Sequence, residues 1–256
     1  MSVRIVQLTD LHLYQDPAGR LAGVPTWATF RSVLEQVGRQ QSDLDYLILT
    51  GDIAQDEALE TYLMLREALG SWVARCRIIP GNHDDRVNLR KAFPELFSEN
   101  EGALTFELSA GGWRIIGLDS HVPGEVRGRV DGVQLAWLRT KLASALGTPT
   151  LLFVHHPPIP INVAWIDKLG LDEATGLVEL IETSPDIKVV CAGHVHQAFA
   201  GRIGLAEIYT TPSTCVQFAA RAEKEFDTQM AGYRTFTLDE DGHHTEVHRL
   251  LENVNG

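Results

Sequence analysis

Five short polar clusters combine residue types that bind divalent cations: "TDLH" (9–12), "TGD" (50–52), "GNHDD" (81–85), "HH" (155–156) and "GHVH" (193–196). Together they offer Asp10, Asp52, Asn82, His12, His155, His194 and His196, with His83 beside Asn82. A mixed oxygen and nitrogen set of this kind suits first-row ions such as iron, manganese or zinc, and suits calcium poorly. These groups are too many for one ion. If one carboxylate bridges, they divide into two four-residue sites, the composition expected for two metals about 3.5–4 Å apart.

Taken singly, each cluster has a plainer reading. Asp10 and His12 would point to one side only if a strand continued through them. Asp52 suits a metal ligand or the N-cap of a helix starting near Asp56. His155 and His156, just before Pro157, fit an ordinary strand end, and "PGNHDD" (80–85) fits a turn. Their shared context decides the matter, because each follows an apolar, strand-like run. In α/β architectures ligands bind at the C-terminal ends of strands, where several such clusters converge on one spot.

The runs themselves are "VRIVQLT" (3–9), "DYLILT" (45–50), "CRIIP" (76–80), "WRIIGLD" (113–119), "TLLFVH" (150–155) and "KVVCAG" (188–193). Helical patterns lie between several of them. Residues 26–40, capped by Thr26, place Phe30, Val33, Leu34 and Val37 on one face. Residues 56–70 do so with Leu59, Tyr62, Leu63 and Leu69, and 131–146, starting after Asp131, with Leu135, Leu138, Leu142 and Leu146. From about residue 205 the texture turns to strands and turns, which are expected to complete a second sheet on the first. No linker, repeat or low-complexity tract interrupts residues 1–256, so one α/β domain is expected.

A net charge of −12 without a Lys/Arg-rich run argues against nucleic acid and anionic membranes as partners. It also requires any anionic substrate to meet a local reversal of sign. Cys76, Cys191 and Cys215 are far apart and read as buried free thiols, which fits a reducing compartment. No apolar run approaches the roughly 20 residues of a membrane span, and the N-terminus has no signal-peptide pattern. A cytoplasmic protein is expected. His243, His244 and His248 have no partners in the pattern and are expected at the surface.

The ordered series D-x-H, G-D, G-N-H-D, H-H-P and G-H-x-H resembles the calcineurin-like metallophosphoesterase superfamily. "GVPTW" (23–27), "GDIAQD" (51–56), "QLAWL" (134–138), "AWID" (164–167), "TPSTCVQF" (211–218) and "GYRTFTLDEDG…TEVHRL" (232–250) are similar to its bacterial class III (Icc-like) 3',5'-cyclic-AMP phosphodiesterases. The resemblance implies two mixed β-sheets packed together and flanked by helices, an αββα sandwich. It implies that Asp10, His12, Asp52 and His196 hold one metal, that Asp52 bridges, and that Asn82, His155 and His194 complete the second. The ions implied are iron or manganese, with zinc as a further option. Asp52 and His83 would be catalytic; His12, Asp52, Asn82, His83 and His196 would face the substrate; His156 and Asp84 would support the ligands.

The reaction implied is hydrolysis of 3',5'-cyclic AMP to 5'-AMP by a metal-bridging hydroxide, with His83 donating to the phosphate or the departing 3' oxygen, a role worth about 10²–10⁴-fold. Two divalent ions, two aspartates and a hydroxide leave the centre about +1, which supplies the required reversal of sign. Glycerophosphodiesters and 2',3'-cyclic nucleotides are the alternative substrates, and segments 157–172 and 211–232 would discriminate among them. A non-catalytic interaction module on the same fold is the reading from another class, and metal content separates it from an enzyme. The sequence selects neither a monomer nor a homodimer.

Overall fold

The computed structural model describes residues 2–41, 43–97, 102–221 and 223–251. Its first half runs β1 (Val3–Leu8), the short ladder β2 (Arg20–Leu21) and β3 (Val24–Pro25), α1 (Thr26–Gln40), β4 (Tyr46–Thr50), α2 (Leu59–Leu69), β5 (Cys76–Ile79) and α3 (Arg86–Ala92). The second continues with β6 (Phe106–Ala110), β7 (Trp113–Leu118), α4 (Gly132–Ala143), β8 (Thr150–Val154), α5 (Ala164–Asp167), α6 (Thr175–Thr183), β9 (Ile187–Ala192), β10 (Phe199–Ile203) and β11 (Ala206–Thr210). The ladder β12 (Gln217–Phe218) with β13 (Phe226–Asp227) precedes the closing strands β14 (Gly232–Leu238) and β15 (His243–Arg249).

Two mixed sheets result. One has the order β15-β14-β1-β4-β5 and the other β10-β11-β9-β8-β7-β6. Within them β1, β4 and β5 are parallel neighbours, as are β7, β8, β9 and β11, while β6, β10, β14 and β15 run antiparallel at the edges. The central strands read as unbroken apolar runs because both of their faces are covered. Their period-2 alternation still sorts the side chains. Ile5, Ile48, Leu151, Phe153, Val189 and Cys191 point into the layer between the sheets. Val6, Leu47 and Leu49 face outward onto Phe30, Val33, Val37, Tyr62 and Leu65 of α1 and α2. On the opposite side Leu152, Val154 and Val190 meet Leu138 and Leu142 of α4 and Leu177, Leu180 and Ile181 of α6. The layers are therefore α, β, β, α.

Several local expectations need correction. The hairpin β14–β15 joins the first sheet beside β1, and only β10 and β11 extend the second; strand order depends on long-range pairing that local pattern does not encode. Thr26 is the first helical residue and makes no capping bond, Pro25 preceding it in an extended conformation with ψ 101°. Asp56 accepts from Ala58 N and Thr61 Oγ1 in the turn before α2, and Leu63 on that helix is exposed. α4 does begin after Asp131, which accepts from Gln134 N, but it stops at Ala143 and leaves Leu146 exposed beyond it. At the C-terminus His243 bonds Glu207 at 2.9 Å, and His248 stacks on Tyr233 and bonds Thr235 Oγ1. These two are partnered and half-buried. All three cysteines are buried and free. Among the described residues no helix is long and apolar enough to cross a membrane.

Candidate metal centre

Every polar cluster singled out in the sequence lies just past the C-terminal end of a parallel strand. Asp10 and His12 follow β1, Asp52 follows β4, and Asn82 and His83 follow β5. His155 follows β8, and His194 and His196 follow β9. The loops are held in register by backbone bonds that continue the sheet without being strand. Asp10 N donates to Gly51 O, His12 N to Asp52 O, and Leu13 N to Ile53 O, at 3.0, 2.9 and 2.8 Å.

The conformation of these loops was not legible in the spacing. Asp10, His12, Asp52, His194 and His196 all take φ between 48° and 67°. Asp and His enter this left-handed region more readily than most side chains, yet each such residue costs on the order of 1–3 kcal/mol. Asp10 and His12 therefore do not project as an i, i+2 strand pair. Each is turned inward by its own strained backbone.

The turn in "PGNHDD" is equally demanding. A Cβ on Gly81 would lie 2.3 Å from both the backbone nitrogen and Oδ1 of Asp52 and 2.8 Å from His155 Cε1, so only glycine permits this approach. Asp84 then ties the loop down from below, accepting from Gly81 N, Ile53 N, Ala54 N and the Tyr62 hydroxyl. Burial and the nearby Asp52 push its pKa up to about 8 against the pull of those donors. Asp85 caps α3 through Asn88 N at 2.7 Å.

Two groups of side chains could each hold an ion. Asp10, His12, Asp52 and His196 form one, and His155, His156 and His194 the other, with potential ligand atoms inside each group within 4.8 Å of one another. Asp52 faces both. Its Oδ1 lies 3.3 Å from His155 Nε2 and its Oδ2 3.8 Å from His12 Nε2. Asn82 Oδ1 lies 3.0 Å from His194 Nδ1, joining the second group. Both oxygens of Asp10 accept from His194 N at 3.1 Å, and Oδ1 is 3.3 Å from His196 Nε2.

The tautomers test whether a cation fits. His155 Nδ1 is 2.7 Å from the Thr50 carbonyl and His196 Nδ1 is 2.7 Å from the Val216 carbonyl. A carbonyl only accepts, so both Nδ1 atoms carry protons and both Nε2 atoms are left with lone pairs. His12 Nδ1 is likewise fixed by Gln55 Oε1 at 2.7 Å. The bare Nε2 atoms of His12 and His196 then stand 3.1 Å apart, and buried His155 Nε2 faces a carboxylate oxygen with no hydrogen-bond partner. Electron pairs so opposed require a proton or a metal ion between them. The residues fit a metal centre.

His156 behaves differently from its neighbours. Its Nδ1 bonds Ser120 Oγ at 2.8 Å and its Nε2 the Val126 carbonyl at 3.0 Å, so it has no lone pair to spare and supports the wall of the site. Burial, aided by His155, pushes the pKa of His194 down to about 4, and burial outweighs Asp52 in holding His12 at about 4. His155 goes the other way. Burial alone would lower it, but the Asp52 carboxylate 3.3 Å away raises it to about 9. His83, half-buried, donates its backbone N–H to Asp52 Oδ1 at 2.8 Å and turns its ring edge-on to His12.

Sequence reasoning missed Gln55, the Thr50 and Val216 carbonyls, and Phe218, which stacks on His196 with centroids 4.1 Å apart. Carbonyls carry no side-chain signal. A glutamine inside a matched motif gives no sign of what it touches. Of the residues left outside the centre, Arg127 pairs with Asp172 in solvent, and Trp165 packs edge-on against Phe218.

Comparison with known proteins agrees with this geometry. Residues 3–198 match the family model described as calcineurin-like phosphoesterase. The chain is 37% identical over 253 residues, 98% of its length and 90% of the other's, to the Escherichia coli K12 protein named 3',5'-cyclic adenosine monophosphate phosphodiesterase CpdA. It is 36% identical to the protein of that name from Pseudomonas aeruginosa, covering 94% and 87% of the two chains. Among solved structures, a dimetal phosphatase from Danio rerio superposes with a TM-score of 0.73 at 14% identity over 98% of each chain. A likeness at that identity speaks to fold alone.

Proposed function

This chain belongs to the calcineurin-like phosphoesterase family, and on that footing we propose that it hydrolyses 3',5'-cyclic AMP to 5'-AMP at the centre around Asp52. It is a metal-dependent phosphoric diester hydrolase. The observation that carries the reaction is Asp52 standing between two buried ligand groups; the choice of nucleotide is supported by its likeness along nearly its whole length to proteins named for that substrate.

In this reading Asp10, His12, Asp52 and His196 hold one divalent ion, and Asn82, His155, His194 and the shared Asp52 hold the other. Iron or manganese is the preferred pair, with zinc also compatible with the donors. Bound there, two such ions would activate water and neutralise charge on the phosphoryl oxygens. The protein's own part is positional. Asn82 supplies an oxygen without adding negative charge. The carbonyls behind His155 and His196 engage Nδ1 of each ring and aim Nε2 inward. His83 sits beside Asn82 on the half-exposed side of the cluster, where its ring can donate to the phosphate or to the 3' oxygen as the P–O3' bond breaks. Water adds to phosphorus, the alkoxide takes a proton, and the product is a phosphomonoester.

Residues 1–256 are read as one domain, supported by the apolar layer that both sheets share. Free buried thiols support a cytoplasmic setting. A small-molecule diester is the partner this site suits, and the acidic balance speaks against nucleic acid and membrane surfaces. The deciding experiment is turnover by metal-loaded protein on 3',5'-cyclic AMP, 2',3'-cyclic AMP and glycerophosphocholine. Rapid use of glycerophosphocholine with negligible 3',5'-cyclic AMP cleavage overturns the choice of nucleotide. His83→Ala with both metals and full turnover overturns the role of His83.

A further inference from the structure

Gln55 lies between the ligand set and the residue beside the substrate. Its Oε1 is 2.7 Å from His12 Nδ1 and its Nε2 is 3.1 Å from His83 Nδ1. The two bonds cannot be assigned independently. A His12 that presents a bare Nε2 to the cluster carries its proton on Nδ1, and only the Gln55 oxygen can accept it. The amide is thereby turned so that its NH₂ group, a donor and never an acceptor, faces His83 Nδ1. That nitrogen must accept, which leaves Nε2, on the far side of the ring from Gln55, to carry the ring's N–H.

We propose that Gln55 is a positioning residue that holds His83 in its Nε2–H form, so that the orientation of His12 toward the metal also sets His83 as a donor toward the leaving oxygen. The assignment rests on the phosphodiesterase reading for its effect on turnover, and on the amide geometry for the tautomer itself. A structural glutamine that merely filled space would not discriminate between the two ring nitrogens. Gln55 is half-buried, its backbone N–H goes to Leu13 O, and its side-chain oxygen and nitrogen each meet one of the two rings.

Two substitutions separate the bonds. Gln55→Leu removes both, whereas Gln55→Glu keeps an acceptor for His12 but has nothing to donate to His83. Each variant is compared with the wild type for metal content, for turnover of 3',5'-cyclic AMP, and for turnover of bis(p-nitrophenyl) phosphate, whose phenolate leaves without needing a proton. The expected result is two metals per chain in both variants, a loss of about 10²-fold on cyclic AMP in Gln55→Leu, of the order lost with one hydrogen-bond donor to developing negative charge, a smaller loss in Gln55→Glu, whose carboxylate can accept from His83 Nδ1 and keep a proton on Nε2, and a change within about twofold on the nitrophenyl diester. Independently of activity, long-range ¹H–¹⁵N correlation on the zinc-loaded protein is expected to show His83 as the Nε2–H tautomer in the wild type and to lose that signature in Gln55→Leu.

The proposal is overturned if wild-type His83 carries its proton on Nδ1, if Gln55→Leu turns over cyclic AMP at the wild-type rate, or if both substrates fall together with metal content. The last outcome would make Gln55 a support for His12 alone. A wild type that shows the Nε2–H signature yet does not cleave cyclic AMP would refute the substrate and leave the tautomer assignment standing.

Discussion

Metal uptake by this site should depend on pH through His155. His155 is held at a pKa of about 9 by Asp52, whereas His12 and His194 sit at about 4. At pH 7 the latter two are already neutral and ready to ligate. His155 is protonated, with its Nε2 proton placed where an ion would bind, 3.3 Å from Asp52 Oδ1. A metal must displace that proton, so apparent affinity should rise about tenfold per pH unit from neutrality until the pH passes about 9, then level. Over two units this is ~2.7 kcal/mol, or about a hundredfold. Competition against a chromophoric chelator from pH 6 to 9 gives the slope, and calorimetry in buffers of different ionisation enthalpy counts the protons released. The expected slope is one, with about one proton released per chain at pH 7 and a flattened profile in His155→Ala. An affinity that does not change above pH 7, or a slope of three or more from several histidines titrating together, would refute the electrostatic account of Asp52 and His155.

Other outcomes follow from the same geometry. In the metal-free protein the raised pKa of His155 contributes stability that is complete below its unfolded value near 6.5 and is lost as pH rises toward about 9; thermal melts should therefore fall between pH 7 and 9 without metal. Tyr62→Phe removes a donor to Asp84 and an acceptor for Asp85 N, each at 2.9 Å, in a fully buried position. Its expected cost is about 1–3 kcal/mol, read from urea unfolding with an unchanged m-value. Gly81→Ala should leave fewer than two metals per chain by elemental analysis, because the added carbon must push Asp52 from His155. Asp52→Asn, which keeps the shape but weakens bridging, should lose activity far beyond any change in melting temperature, and equal retention of both metals and rate would refute the bridging role.

The sequence disclosed the fold where a strand's two faces were both buried, since runs such as "TLLFV" need no alternation to be recognised, and it pointed to the clusters the fold brings together because each follows such a run. It could not place β14 and β15, whose alternation is compatible with either sheet until β1 is seen to pair with Phe236 and its neighbours. Leu63 and Leu146 show the other limit. Helical spacing counts them as core, but α2 turns Leu63 outward and α4 ends before Leu146. Within the site, the left-handed backbone at Asp10, His12, Asp52, His194 and His196 and the two side-chain bonds of Gln55 are properties of geometry that spacing does not record. The "PGNHDD" stretch is a turn, as its composition says, but the turn exists to press Gly81 against Asp52.

The proposed ligand positions divide between the sheets: Asp10, His12, Asp52 and Asn82 belong to the ends of β1, β4 and β5, and His155, His194 and His196 to the ends of β8 and β9. Neither sheet alone can assemble either ion's surroundings, because Asp10 needs His196 and Asp52 needs His155 across the gap. Loaded with metal, the centre would work as a clasp at one end of the sandwich, resisting any sliding of one sheet over the other. During refolding the clasp can close only after the apolar layer has docked, so metal uptake would lag behind recovery of strand and helix and would time the last step of assembly.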